Sequence, residues 1–110
     1  MKHEVKSEKD SVIISFNGDI DLEFSGEVRT ILMESEPKGR SIIVDLSGVE
    51  VIDSSGIASL LEGFQSAHKK GKPFIIAAVN PSVMRVFNLA RLETVFTIAV
   101  SIDEALNLES

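Results

Sequence analysis

The chain has 110 residues with 11 basic and 17 acidic side chains, a formal net charge of −6, and 44% apolar residues. That length fits one domain spanning residues 1–110 with a real core, although a chain of this size buries only about two-thirds of its unfolded surface. The absence of cysteine excludes disulfides, thiolate metal sites and cysteine nucleophiles, and the acidic balance argues against nucleic acid, which needs a basic footprint to displace counterions.

His3 to Ser7 is expected to pair, through the polar turn Glu8-Lys9-Asp10, with Ser11 to Phe16, a β-branched run closed by the turn signal Asn17-Gly18. The period then changes: Phe24, Val28, Ile31 and Leu32 share one face of a helix that Asp21 would cap, and the stretch Glu34 to Arg40, with Pro37 and Gly39, closes it. Ser41 to Leu46 reads as a strand buried on both faces, and Val49 to Ile52 as a short apolar link beyond the turn Ser47-Gly48. Asp53-Ser54-Ser55-Gly56 opens a second helix carrying Ile57, Leu60, Leu61 and Phe64, which ends at Lys69-Lys70-Gly71 with basic residues and a glycine suited to its carboxyl end. Phe74 to Val79 is a third buried strand, followed by the helix start Asn80-Pro81-Ser82 and an apolar face of Val83, Val86, Phe87 and Ala90. Leu92 to Val95 connects to a strand at Phe96 to Val100, and Ser101 to Asp103 starts a final helix with Ala105, Leu106 and Leu108 inward. Strands alternating with helices at this spacing predict an α/β domain with a mixed, mostly parallel sheet of four to five strands covered by about four helices.

No apolar run approaches the ~18–20 residues needed to span a bilayer. The opening MKHEVKSEKD has no apolar stretch of the signal-peptide kind, so a cytoplasmic protein is expected. With only His3 and His68, and no Trp or Tyr, few of the usual catalytic groups exist. No convergent acid, base and nucleophile set is visible, so an enzyme is not expected, no catalytic residue is assigned, and composition favours a binding or switching module. His68, late on the second helix beside Lys69 and Lys70, reads as a solvated residue at a helix end rather than a metal ligand.

The stretch from Ile42 to Leu61 carries the chemistry. A buried strand leads through a short link into a helix whose first turn holds Asp53, Ser54, Ser55 and Gly56. In α/β sheets, sites lie beyond the carboxyl ends of strands, where helix N-termini present free N–H groups, and a phosphate added to a serine there would sit in a favourable field. Asp and Ser at a helix start are equally ordinary caps, and Gly56 equally serves close packing. Neither a G-x-S-x-G nucleophile elbow nor a G-x-x-x-x-G-K-[ST] phosphate loop occurs.

The segment VDLSGVEVIDSSG, Val44 to Gly56, resembles the signature of the STAS domain (sulfate transporter and anti-sigma-factor antagonist), and the resemblance covers nearly the whole chain. Gly18-Asp19-Ile20-Asp21 resembles the family's G-[DE]-[ILV]-D motif. Phe74 to Asn80 followed by Arg85, Phe87 and Leu92 is similar to its strand and "R-x-F-x-x-x-x-L" helix, and Asp103-Glu104-Ala105-Leu106 to its final helix. The D-S-S-G tetrapeptide is the form typical of bacterial anti-sigma-factor antagonists. The resemblance implies a phosphorylation-controlled partner switch: Ser55 is phosphorylated by a serine kinase that is also the anti-sigma factor, the unphosphorylated chain binds that kinase, and a serine phosphatase resets it. Asp19, Asp21, Asp53, Ser54, Ser55 and Gly56 are then the partner-binding residues. The kinase supplies ATP and magnesium, so no cofactor and no metal is assigned to this chain. Leu22-Glu23-Phe24-Ser25-Gly26 departs from the family's more common Thr or Ser, small residue and Pro. Two other outputs keep the fold, namely a switch acting on a phosphatase or response regulator and a structural subunit of a lipid-transport ATPase.

Charge is unevenly spread: residues 1–62 carry 6 basic and 13 acidic groups, residues 63–110 carry 5 and 4. The acid lies in the half that holds both proposed contact motifs, where it would steer a basic partner. Met84, Phe87 and Leu89 would be contact candidates for a partner or a weak homodimer wherever the fold leaves them exposed.

Overall fold

A two-residue turn sets the first strand pair. Lys9 and Asp10 both hold positive φ, 51° and 69°, the conformation of a type I′ turn whose twist matches that of its flanking strands. Strands β1 (Lys2–Glu8) and β2 (Ser11–Asn17) accordingly run antiparallel, with Glu8 opposite Ser11 and Lys2 opposite Asn17. The computed structural model describes residues 1–108. Among these, β3 (Ser41–Gly48), β4 (Phe74–Ala77) and β5 (Thr97–Ala99) complete a five-stranded sheet in the order β1-β2-β3-β4-β5, parallel from β2 onward. Four α-helices accompany it: α1 (Ser25–Ser35), α2 (Ser54–Lys69), α3 (Pro81–Leu89) and α4 (Ile102–Leu108). The alternation of β-branched runs with helical patterns thus yields the mixed, mostly parallel sheet that it predicts.

The central strands are apolar throughout because both faces are covered. Val12, Ile14, Phe16, Ile42, Val44, Leu46, Phe74 and Ile76 point to one side, into a core with Val28 and Leu32 of α1, Leu60 and Ala67 of α2, and Val83 and Phe87 of α3. Their neighbours Ile13, Ile43, Ile75 and Ala77 point to the other side, under Ala105 and Leu106 of α4, as the two-residue period of a strand requires.

Several boundaries differ from the sequence expectation, each for a local reason. The first helix does not start at Asp21. Asp21 heads a separate turn, its Oδ1 accepting the N–H of Glu23 at 3.0 Å while its carbonyl accepts Ser25 N–H at 2.8 Å, and α1 follows with Phe24 at its N-cap position. The third buried strand stops at Ala77 because Ala78 turns to positive φ (58°). The fifth strand is shorter than Phe96 to Val100: Phe96 leaves the ladder to join an aromatic cluster with Phe64, Phe74 and Phe87, and Val100 is exposed. Ala90 falls past the end of α3 and is exposed, and Leu108, expected inward, is exposed at the end of α4. Phe87 is fully buried and so carries no surface contact, whereas Leu89 is exposed.

The buried face of α2 is also rotated from the expected one. Gly56, Ser59, Leu60, Gly63 and Ala67 are buried, while Ile57, Leu61 and Phe64 are half-buried. Small residues let α1 approach closely: the Ser59 hydroxyl donates to the carbonyl of Ser25 at 2.7 Å, and a Cβ on Gly63 would lie 2.9 Å from Leu32 Cδ1. At the far end of this helix pair the carboxylate of Glu36 is buried and accepts from the Ser66 hydroxyl at 2.9 Å and Lys70 Nζ at 3.1 Å. His68 is exposed near the end of α2 and stacks on Phe64 with ring centroids 5.7 Å apart.

Candidate functional site

Asp53 holds the amino end of α2. Its backbone is extended (φ −109°, ψ −175°), so its carboxylate folds over the first helical turn, where the free N–H groups of a helix need acceptors. Oδ1 accepts Ser55 N–H at 2.9 Å, Gly56 N–H at 3.0 Å and the Ser55 hydroxyl at 2.5 Å. Oδ2 reaches away from the helix and accepts the backbone N–H of Leu22 at 3.2 Å. One carboxylate therefore caps a helix and pins the loop that follows β2. The Ser55 hydroxyl first, then the Gly56 N–H, with the N–H groups of Ser55 and Leu22, hold the Asp53 carboxyl below the usual carboxylate range against an opposing desolvation.

The two loops are joined by more than that bond. Ile20 and Ile52 form an isolated parallel bridge: Ile20 N–H donates to the Val51 carbonyl at 2.9 Å and Asp53 N–H to the Ile20 carbonyl at 3.1 Å. Both side chains are buried, so the bridge extends the parallel sheet by one rung beyond its regular strands. Gly56 packs on this rung. A Cβ there would lie 2.6 Å from both Ile20 Cγ2 and the Ile20 carbonyl oxygen. The third loop is tied in by Asn80, expected as a helix start. Its side chain makes no cap bond and instead donates to the carbonyls of Ser47 at 3.0 Å and Val49 at 2.7 Å, while the Ser82 hydroxyl donates to the Glu50 carbonyl at 2.8 Å.

The residues expected from the sequence to be phosphorylated or to bind a partner thus all lie at the carboxyl end of the parallel strands. Asp53, Ser54, Ser55 and Gly56 form the first turn of α2 and its cap; Ser54 is exposed, Ser55 half-exposed and Gly56 buried. Asp21 sits in the adjoining turn and Asp19 is exposed on the loop before it. Sequence reasoning missed Leu22 and Val51, which flank the Asp53 cap with 79% and 52% of their surfaces exposed. The available signal for the first is that Leu22 lies between Asp21 and Glu23, off the apolar helical face begun by Phe24. The acidic residues Asp19, Asp21, Glu23, Glu50 and Asp53 all belong to these loops. The surface is therefore two apolar side chains and two serines set among carboxylates.

A protein-family model described as the STAS domain matches residues 2–105, and the chain belongs to that family. A protein of Paenibacillus polymyxa named anti-sigma F factor antagonist is 25% identical over 91 residues, covering 81% of this chain and 78% of its own length. Among solved structures, a Thermotoga maritima protein provisionally assigned as an anti-sigma factor antagonist superposes with a TM-score of 0.89 at 27% identity, covering 96% of this chain and 92% of that one. The Bacillus cell fate determinant SpoIIAA in its phosphorylated form shares the fold, with a TM-score of 0.75 at 17% identity over 99% of this chain and all of that one. The Paenibacillus and Thermotoga relatives thus carry the description anti-sigma factor antagonist, and the sheet and helices found here match those of the solved structures. Among the described residues no helix is long and apolar enough to cross a membrane.

Proposed function

We propose that this chain is an anti-sigma-factor antagonist, a regulatory binding protein without catalytic activity that exchanges partners according to the phosphorylation of Ser55. The observation that carries this reading is the first turn of α2: two serines at an exposed, capped helix start, on a rim of carboxylates and two exposed apolar side chains. That a relative of the same fold exists in a phosphorylated form supports it. Unphosphorylated, the surface offers Leu22 and Val51 for apolar burial and its acidic groups for steering a basic partner, an anti-sigma factor that is also a serine kinase.

Phosphate on Ser55 adds about −1.5 to −2 charges beside Asp53 and replaces the hydroxyl proton now donated to that carboxylate. The α2 dipole favours a phosphate by about 0.3–1 kcal/mol at an exposed terminus, so the free protein tolerates the modification. In a docked complex the added charge is desolvated and faces the existing carboxylates, and both effects oppose binding. The kinase supplies the nucleotide, a serine phosphatase reverses the step, and the exchange takes place in the cytoplasm.

The test is capture of the kinase from the native cell with the purified chain, before and after phosphatase treatment, with the modified serine mapped by mass spectrometry. Ser55→Ala is expected to retain the partner and lose phosphorylation. Ser55→Asp is expected to weaken binding at least tenfold, about 1.4 kcal/mol. Phosphate found on Ser54 in place of Ser55, or an unchanged affinity for Ser55→Asp, would overturn the assignment.

A further inference from the structure

We infer that the outer edge of β1 pairs with the same edge of a second copy, in one antiparallel register fixed by charge. Because Glu8 and Ser11 flank a two-residue turn, they form a hydrogen-bonded pair, and so do Lys6 with Ile13, Glu4 with Ser15 and Lys2 with Asn17. The backbone groups of the alternate residues His3, Val5 and Ser7 therefore face away from β2. Six of the seven β1 residues are exposed and Val5 is half-buried, so this row of N–H and C=O groups is an open template for another strand.

Such edges are commonly protected by charge alone, and β1 is charged. Its charges, however, alternate in sign on one face: Lys2, Glu4, Lys6, Glu8. Antiparallel pairing about a twofold axis at Val5 sets Val5 against Val5, His3 against Ser7, Lys2 against Glu8 and Glu4 against Lys6. The outward-facing groups of His3, Val5 and Ser7 then meet in hydrogen-bonded pairs. The charged residues fall at the non-hydrogen-bonded positions, where Cα atoms stand only about 4.5 Å apart. Sliding by two residues in either direction keeps the hydrogen bonds but sets Lys2 against Lys6 and Glu4 against itself, or Glu4 against Glu8 and Lys6 against itself. Like charges directly opposite are destabilising. Sliding by four pairs only Lys2 with Glu4 or only Lys6 with Glu8, so the register centred on Val5 is the one that sets all four charges of each strand against opposite ones.

The twofold is isologous, with the same strand contributed by both copies, and closes without propagating. It would join two sheets into one of ten strands. Since β1 meets β1 head to tail, the parallel strands of the two copies run in opposite directions and their α2 amino ends lie at opposite ends of the joined sheet. The pairing is independent of the Ser55 reading and leaves both serines accessible.

Sedimentation equilibrium of the untagged chain at up to about 1 mM is expected to show a weak, salt-sensitive dimer. The doubly substituted chains Lys2→Glu/Lys6→Glu and Glu4→Lys/Glu8→Lys each place like charges at every opposed position. Each alone is expected to raise the dissociation constant at least tenfold, while an equimolar mixture of the two restores a dimer. Their unchanged circular dichroism would establish that the fold is intact, since all four positions are exposed. A second variant, Val5→Pro, deletes the outward N–H at the twofold without touching a bond to β2 and should also dissociate the dimer. A wild-type chain that stays monomeric throughout this range, or a dimer that persists in both charge-swapped chains taken singly, would overturn the inference.

Discussion

Gly56 and Ile20 stand at backbone contact: a Cβ added to the glycine would lie 2.6 Å from the isoleucine carbonyl oxygen. That carbonyl is engaged in accepting the Asp53 N–H, so neither partner can yield without moving the rung that joins the two site loops. Gly56→Ala is therefore expected to destabilise the fold by about 1–3 kcal/mol, the range for overpacking a tight site. The disturbance should concentrate in the loop that holds Asp19 to Leu22. Chemical denaturation measures the first effect and amide chemical shifts the second. A neutral outcome in both would mean that α2 can slide away from Ile20 at no cost.

The Asp53 carboxyl reports on Ser55. Its folded value is lowered chiefly by the Ser55 hydroxyl, so removing that donor in Ser55→Ala should raise it, and a phosphate on Ser55 should raise it further by adding like charge. The sign for stability follows. A depressed folded pKa contributes stability that is fully present above the unfolded value, and that contribution is lost as pH falls through the folded value. Ser55→Ala should accordingly show a smaller loss of stability on acidification below the ordinary carboxylate range than the wild type. Carboxyl ¹³C titration by NMR reads the shift directly, and an Asp53 midpoint that does not rise in Ser55→Ala would remove the hydroxyl as its cause.

Where the chain repeats one physical signal over several residues, the fold was legible. The runs Ser11 to Phe16 and Ser41 to Leu46 are β-branched and apolar on both faces, and each became a strand under helices. Signals resting on one residue were ambiguous. An Asp that closes a local turn and an Asp that caps a helix both bond an N–H two or three residues on, so Asp21 could not be told from an N-cap by sequence. Asp53, with the same chemistry, is a true cap because its backbone is extended. Long-range contacts were invisible. Nothing local in Asn80 announces that its amide bridges Ser47 and Val49 across more than thirty residues. The apolar period does not locate the buried face of α2, because close helix packing is built from Ser59 and Gly63, not from large apolar residues.

Glu36 is the strongest buried polar feature away from the site. Only 4% of its surface is exposed, and its carboxylate meets Ser66 and Lys70 of the α2 end while its carbonyl accepts from Lys72 Nζ at 2.7 Å. Truncation to Ala leaves the Ser66 hydroxyl without its acceptor and creates a void. Glu36→Ala should therefore cost about 1–3 kcal/mol, the range for orphaning a buried polar partner. Glu36→Gln, which keeps an acceptor for Ser66, should cost less. Urea denaturation of the two variants distinguishes these outcomes, and equal losses would indicate that the charge facing Lys70 matters more than the hydroxyl contact.

Leu22 offers the cleanest separation of binding from folding. Its side chain is 79% exposed, while its backbone N–H is already committed to Asp53 Oδ2, a bond that any residue except proline can make. Leu22→Ala should leave stability within about 0.5 kcal/mol, as is usual for a surface substitution. Burying a Leu side chain in an interface is worth about 1.5–3 kcal/mol, so if the partner covers this loop the same change should weaken binding about tenfold or more. Val51, exposed on the facing loop, should behave in the same sense with a smaller effect, since less of it is available to bury. Calorimetric titration of the captured kinase against each variant, with thermal unfolding as the control, reads both quantities. Unchanged affinity in Leu22→Ala would move the partner surface off the loop that follows β2 and leave the first turn of α2 as the only contact still to be tested.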